Sequence, residues 1–215
     1  MVVAKSKARN QTANFYDRIA DVHNLALKFN GYKESVAKFL RSLNLEVTKK
    51  TMVLDAGSGT GVVTLAFHQA GFRPKKTVAI DLSRTSLKLA VDQARKEKKV
   101  DANNIEAVQG NILALPFAEE SFDIVLSCGV LEYVPLDDGL RELARVLRTG
   151  GRLVLLPVKP SLVGSVLEII YNFKIHPIED VRKISQRYFK IVGDYKFPIA
   201  EPIAWSKAIF LLEKN

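Results

Sequence analysis

From Thr51 onward, short apolar runs rich in β-forming residues alternate with amphipathic segments, and nothing else in the chain constrains its fold so strongly. "TMVLD" is followed by Val62 to Ala70 and "TVAID" by Arg84 to Arg95; then come "IEAVQ", "FDIVLS" with Leu136 to Leu147, and "GRLVLLP". Strands that are apolar at consecutive positions have no solvent face, so they belong in a sheet covered on both sides. In Arg84 to Arg95, residues Leu87, Ala90, Val91 and Ala94 keep the i, i+3, i+4, i+7 stripe of a helix lying on such a sheet. Strand and helix alternating in this way imply crossover connections and a mostly parallel sheet.

The flanks read differently. Phe15, Ile19 and Val22, then Val36, Phe39, Leu40 and Leu43, recur at helical spacing, with "FNGY" at Phe29 to Tyr32 breaking the segment in two. After Pro157, "SLVGSVLEIIYNF" (Ser161 to Phe173) is a largely apolar helix candidate, and Pro177 can open another helix at its first turn. Lys190 to Glu213 reads as two strands around "FPIAEP", an antiparallel edge that closes the sheet. With 215 residues, 47% of them hydrophobic, the chain supports one sizeable core. The expected organisation is a single domain over 1–215: a helical cap over 1–48, a core over 51–157, and helices with a closing hairpin over 158–215.

Several function classes recede on composition. No apolar run approaches the roughly 18 to 20 residues of a membrane span, and "MVVAKSKARNQ" lacks a signal peptide's apolar stretch, so a cytoplasmic protein is expected. Cys128 is the single cysteine, and His23, His68 and His176 are scattered, so no metal site is expected. The formal charge of +9 is spread along the chain and reads as solvated surface, although it leaves a nucleic-acid partner open.

The chemistry begins at "VLDAGSGTG", Val53 to Gly61, between the first strand and the first helix. In open α/β sheets ligands bind outside the carboxyl ends of the strands. Gly57 and Gly59 permit a tight turn and a close backbone approach, and Gly61 lets the helix begin against the strand. Asp81 ends the second strand 20 residues after Gly61, where an acid can accept hydrogen bonds from both hydroxyls of a ribose; a turn or capping role beside Ser83 is the alternative. A dinucleotide dehydrogenase and an adenosyl-sulfonium enzyme both use such a loop. The spacing here is G-x-G-x-G and Asp55 stands inside the stretch. An anion is unfavourable beside a pyrophosphate and favourable beside an ammonium and a sulfonium, which points to S-adenosylmethionine.

Together these segments resemble the class I S-adenosylmethionine-dependent methyltransferases from about Tyr16 to Leu156, through "VLDAGSGTG", "AIDLS", "VQGNILALPFAEESFDIVLSCGVLEYV" and "ELARVLRTGGRLVL" in that order. The wording, with "YDRIA" at Tyr16 to Ala20, is nearest the small-molecule branch of quinone-biosynthesis and sterol-like enzymes. The resemblance implies a Rossmann-like, mostly parallel seven-stranded sheet with helices on both faces and an antiparallel C-terminal hairpin. It also implies that Asp55 and the Gly57, Ser58, Gly59 and Gly61 backbone hold the methionine part of the cofactor. Asp81 takes the ribose, Leu82 packs on adenine, and Ile112 offers a backbone N–H to the ring. Ser127, Cys128 and Gly129 line the methyl-donor end. Two departures stand out. Gly110-Asn111 replaces the usual Gly-Asp, leaving an uncharged acceptor for the adenine amino group, and "LEYV" stands where relatives often carry a histidine pair.

Because the sulfonium is already activated, catalysis is chiefly placement of the acceptor, and the catalytic residue is the least defined. Glu132 and Tyr133 are candidates, with His176 and His23 behind them. The implied reaction is methyl transfer to a small-molecule acceptor, lipid- or quinone-like, with "LVGSVLEIIYNF" forming either a greasy wall or an ordinary packed helix. The alternatives are an RNA or tRNA methyltransferase using the basic surface, and a non-catalytic S-adenosylmethionine-binding regulator. A homodimer is compatible with the sequence.

Overall fold

The computed structural model describes residues 31–197 and 200–215. The helix expected around Phe15 to Val22, together with His23, lies outside them. The elements, in chain order, are α1 (Tyr32–Ser42), β1 (Met52–Ala56), α2 (Val62–Gln69), β2 (Lys76–Asp81), α3 (Arg84–Lys96), β3 (Ile105–Gln109), β4 (Phe122–Cys128), α4 (Leu136–Val146), β5 (Leu147–Leu156), α5 (Leu162–Tyr171), α6 (Ile178–Ser185), β6 (Phe189–Tyr195) and β7 (Ile209–Lys214). The seven strands form one sheet in the order β3-β2-β1-β4-β5-β7-β6. The first five pair in parallel and β7 pairs antiparallel with both β5 and β6.

Alternation along each strand explains the apolar runs. Val53, Ile124, Leu126, Val154 and Leu156 point to one face, where they meet Val36 and Leu40 of α1 and Val63 and Phe67 of α2. Their neighbours Leu54, Val125, Leu153 and Leu155 point to the other, against Leu140 and Leu143 of α4. With both faces buried, the central strands are apolar at most positions, and Asp55, Thr77 and Ser127 are buried polar exceptions.

Two elements differ in detail from the sequence expectation. β5 begins at Leu147, before "GRLVLLP", because residues 148–151 loop out opposite Asp123 where Gly150 takes φ +74°. The last two strands pair as expected but are no tight hairpin. Residues 196–208 join them through a 3₁₀ turn at Pro202–Trp205, and Glu201 in that connection accepts from the Ser35 hydroxyl at 2.8 Å and Lys38 Nζ at 2.7 Å, tying it to α1. Among the described residues, no helix is long and apolar enough to cross a membrane.

Candidate active site

The strand order reverses between β1 and β4, and the crevice that such a reversal leaves is where the glycine stretch runs. Gly57 and Ser58 both donate their N–H to the Ile80 carbonyl at 2.9 Å, which turns the chain off β1 toward the end of β2. The glycines divide the work. Gly57 has φ +73°, and a Cβ there would stand 2.4 Å from Val130, so the missing side chain makes room for the loop after β4. Gly61, at φ +81°, would place a Cβ 2.8 Å from that of Ala90, so it lets α2 lie against α3. Gly59, at φ +52°, meets nothing within 4 Å, and it alone of the three has open space before it. Gly57→Ala should destabilise the fold by roughly 2–4 kcal/mol, from positive φ and overpacking together. Val130→Ala in the same chain should recover the overpacking share only, as urea unfolding would show; full recovery would mean that φ costs nothing here.

Asp81 accepts from the Gly59 N–H through Oδ2 and from the Ser83 N–H through Oδ1, both at 2.8 Å. Ser83 caps α3, its Oγ accepting the Ser86 N–H at 3.1 Å. Asp81 therefore does hold a turn, yet each oxygen keeps acceptor capacity. Burial pushes its carboxyl above the usual range. Leu82, 60% exposed, stands beside it. The Gly110 N–H donates to the Asp81 carbonyl at 3.0 Å, which brings the loop after β3 to the same place. There Asn111 is exposed and its Oδ1 already accepts the Leu113 N–H at 3.0 Å, while the Ile112 side chain is buried in the core.

Asp55 is buried on the α2 side of the sheet. Its Oδ2 accepts both the Thr64 N–H at 3.0 Å and the Thr64 hydroxyl at 2.5 Å, so half of the carboxylate pins the first turn of α2. Oδ1 is buried with no partner. Burial raises the carboxyl to about 6 against the Thr64 bonds, with repulsion from Asp81 adding to the rise. Ser58 Oγ, Ser127 Oγ and Glu132 Oε2 are likewise buried and unpartnered, all near the carboxyl ends of β1 and β4. Buried polar atoms without partners are rare, and a group of them at strand ends, two of them carboxylate oxygens, fits a polar ligand that carries positive charge.

At the end of β4, Cys128 is half-buried and its Sγ lies 3.6 Å from the Tyr32 hydroxyl. Tyr32 is buried, and burial first, then Cys128 and Glu132, hold its phenol well above the ordinary range. Glu132 is a buried acid, 4% exposed. Its Oε1 accepts the Val158 N–H at 2.5 Å. Tyr133 is 36% exposed and sits edge-on to Phe173 with ring centres 5.3 Å apart. His176 donates from Nε2 to the Leu131 carbonyl at 3.0 Å, which makes it a brace for the loop carrying Glu132. Gly129 lies beside Lys207, whose Nζ would be 2.7 Å from a Cβ built there. Tyr32 and Lys207 escape sequence reasoning, because each reaches the site from a segment without a motif, and although Val130 stands inside one, nothing in it says that it meets Gly57. The nearest signal is Tyr32 itself, a polar-tipped ring where α1 begins.

A methyltransferase-domain family matches residues 54–155. The ubiquinone/menaquinone biosynthesis C-methyltransferase of Shewanella frigidimarina is 33% identical over 174 residues, covering 75% of this chain and 68% of that protein. The enzyme of the same description from Pectobacterium atrosepticum is 27% identical over 207 residues, 94% of this chain and 78% of its own. Among solved structures, geranyl diphosphate C-methyltransferase from Streptomyces coelicolor A3(2), in complex with Mg2+, geranyl diphosphate and S-adenosyl-L-homocysteine, matches with a TM-score of 0.68 over 83% of this chain and 79% of that one. At 16% identity that likeness bears on the fold alone. A loop that opens space at Gly59, an acid at the end of β2 at Asp81, an unpartnered carboxylate oxygen at Asp55 and these relatives agree: the chain belongs to the class I S-adenosylmethionine-dependent methyltransferases, with its similarity running to the C-methyltransferases of quinone biosynthesis.

Proposed function

We propose that this enzyme methylates a small apolar acceptor, lipid- or quinone-like, at carbon, with Glu132 as the base that takes the acceptor's proton. The observation that carries the reading is the Glu132 carboxylate, buried near the end of β4 with Oε1 fixed by the Val158 N–H and Oε2 without a partner. A carboxylate held by one oxygen and open at the other is ready to accept from an acceptor hydroxyl or an acidified C–H. S-adenosylmethionine, when bound, supplies the methyl group already activated as a sulfonium.

The chain's own residues bind and orient. Asp55 Oδ1 answers the cofactor's positive charge, and the Ser58 hydroxyl and the Gly59 backbone border its methionine part. Asp81 accepts from the ribose hydroxyls with the capacity left by Gly59 and Ser83, while Leu82 packs on adenine and Asn111 and Ile112 border its edge. Ser127 and Cys128 line the methyl-donor end, and Tyr133 forms part of the acceptor rim. Among the described residues, α1 and the segment from 158 onward are the acceptor-facing parts and residues 51–157 the cofactor core. The RNA alternative gains little from the surface, where Arg141, Arg145, Arg148, Arg182 and Arg187 pair with the chain's own acids.

Glu132→Gln should lower kcat for an apolar phenolic acceptor by about 100-fold or more while affinity for S-adenosylhomocysteine stays within twofold. Unchanged kcat would remove Glu132 from the chemistry.

A further inference from the structure

Helix α5 carries a broad apolar arc on its exposed side. At 100° per residue, Leu162, Val163, Val166, Ile169 and Ile170 fall within an arc of about 120°. All five are exposed, Leu162 by 91%, Ile169 by 82% and Val166 by 54%. On the opposite side, Gly164 is buried and Glu168 accepts the Ile175 N–H at 2.8 Å. The apolar arc thus faces out, while Gly164, Leu167, Glu168 and Tyr171 lie toward the protein, which excludes the ordinary packed helix and leaves a patch that asks for a partner.

Its surroundings say which one. The Ser161 hydroxyl donates to the Trp205 carbonyl at 2.7 Å, bringing Trp205, 46% exposed, to the helix's first turn. Past the last turn, Phe173 meets the half-exposed Tyr133. Lys159 and the exposed Lys174 bracket the helix in sequence, and the one acid within it, Glu168, is the inward one. An apolar stripe with tryptophan and tyrosine at its ends and lysines outside them is the arrangement of a helix lying in a lipid interface. Lys159 and Lys174, next to the stripe, complement anionic phosphates. A protein partner would instead be expected to meet the lysines with acids, and a second copy seated on this face would set the same lysines against each other.

We propose that α5 seats the enzyme on the surface of an anionic bilayer, apolar face down. The Lys174 N–H donates to the Glu132 carbonyl at 3.2 Å, so the segment leaving α5 is joined directly to the turn that holds the proposed base. An acceptor dissolved in the membrane would then enter beside Glu132 without crossing water. The purpose of the docking rests on the apolar-acceptor reading, but the docking itself requires neither cofactor nor acceptor.

The test is flotation of the full-length protein with vesicles of phosphatidylcholine containing phosphatidylglycerol, and with vesicles of phosphatidylcholine alone. The wild type should float with the anionic vesicles, and Leu162→Asp and Ile169→Asp should each weaken that binding at least roughly tenfold. Titration with S-adenosylhomocysteine and near-ultraviolet dichroism should match the wild type, showing that both variants are folded. Binding equal to wild type in both variants would overturn the proposal, since charge alone would then hold the protein. Absence of wild-type binding, with a dimer that Ile169→Asp dissociates, would overturn it in favour of a second copy. Label transfer to an apolar acceptor without vesicle binding would leave the proposed reaction standing and sink the docking; vesicle binding without transfer would do the reverse.

Discussion

Alanine at Asp81 should lower affinity for S-adenosylhomocysteine on the order of 100-fold or more, by loss of charge-assisted hydrogen bonds worth about 1.5–3 kcal/mol each. The same carboxylate accepts from Gly59 and Ser83 at 2.8 Å, so alanine also frees the loop that must be ready for the ligand. Asp81→Asn separates the two effects. It keeps the shape and one acceptor oxygen but loses the charge, and its affinity should fall between those of the wild type and the alanine variant. Calorimetry gives both affinities, and the rise in Tm on adding ligand gives an independent check. Unchanged affinity in Asp81→Ala would mean that the ribose sits elsewhere.

Affinity for S-adenosylmethionine should rise with pH between about 5 and 7 and then level off, because Asp55 titrates there. Burial raises its carboxyl to about 6, so the free folded protein keeps a proton that the unfolded chain has released. Below about pH 4 both states are protonated and Asp55 is neutral to stability; as pH rises toward 6 the folded state binds more protons, so stability falls, and above 6 the deficit is constant. At about 1.4 kcal/mol per pH unit its upper bound is about 3 kcal/mol. A cationic ligand favours the ionised form, so binding below pH 6 must expel the proton. Asp55→Asn should therefore flatten the pH dependence and weaken binding, while the free protein at pH 8 melts no lower than the wild type. Asp81, also raised by burial, acts in the same direction and leaves a residual slope. A flat affinity from pH 5 to 7 in the wild type would show that Asp55 does not face the cofactor's charge.

The sheet is legible in the sequence because both of its faces are covered. Val53 and Leu54 are adjacent and equally buried on opposite faces, and consecutive apolar residues then have one physical explanation. The glycine loop is legible as a turn, but its division of labour is not. Which of Gly57, Gly59 and Gly61 faces space depends on Val130 and Ala90, which come from distant parts of the chain. Glu132 is ambiguous for the same reason: nothing in "LEYV" says that the Val158 N–H will take one oxygen and bury the other. In α5 the periodicity shows an apolar stripe but not its direction. Gly164 decides that, since a Cβ there would stand 2.4 Å from the Lys159 carbonyl oxygen and so must be absent on the inward side.

The central claim is that a cationic methyl donor held by Asp55 and Asp81 gives its methyl group to an apolar small molecule beside Glu132. Its most direct test supplies methyl-labelled S-adenosylmethionine to the full chain with a lysate, then separates lipid-extractable, polar small-molecule, RNA and protein fractions. The account predicts label in the lipid-extractable fraction, lost in Asp81→Ala and strongly reduced in Glu132→Gln. Label confined to RNA or protein, or cofactor binding with no label transferred to any fraction, would contradict it.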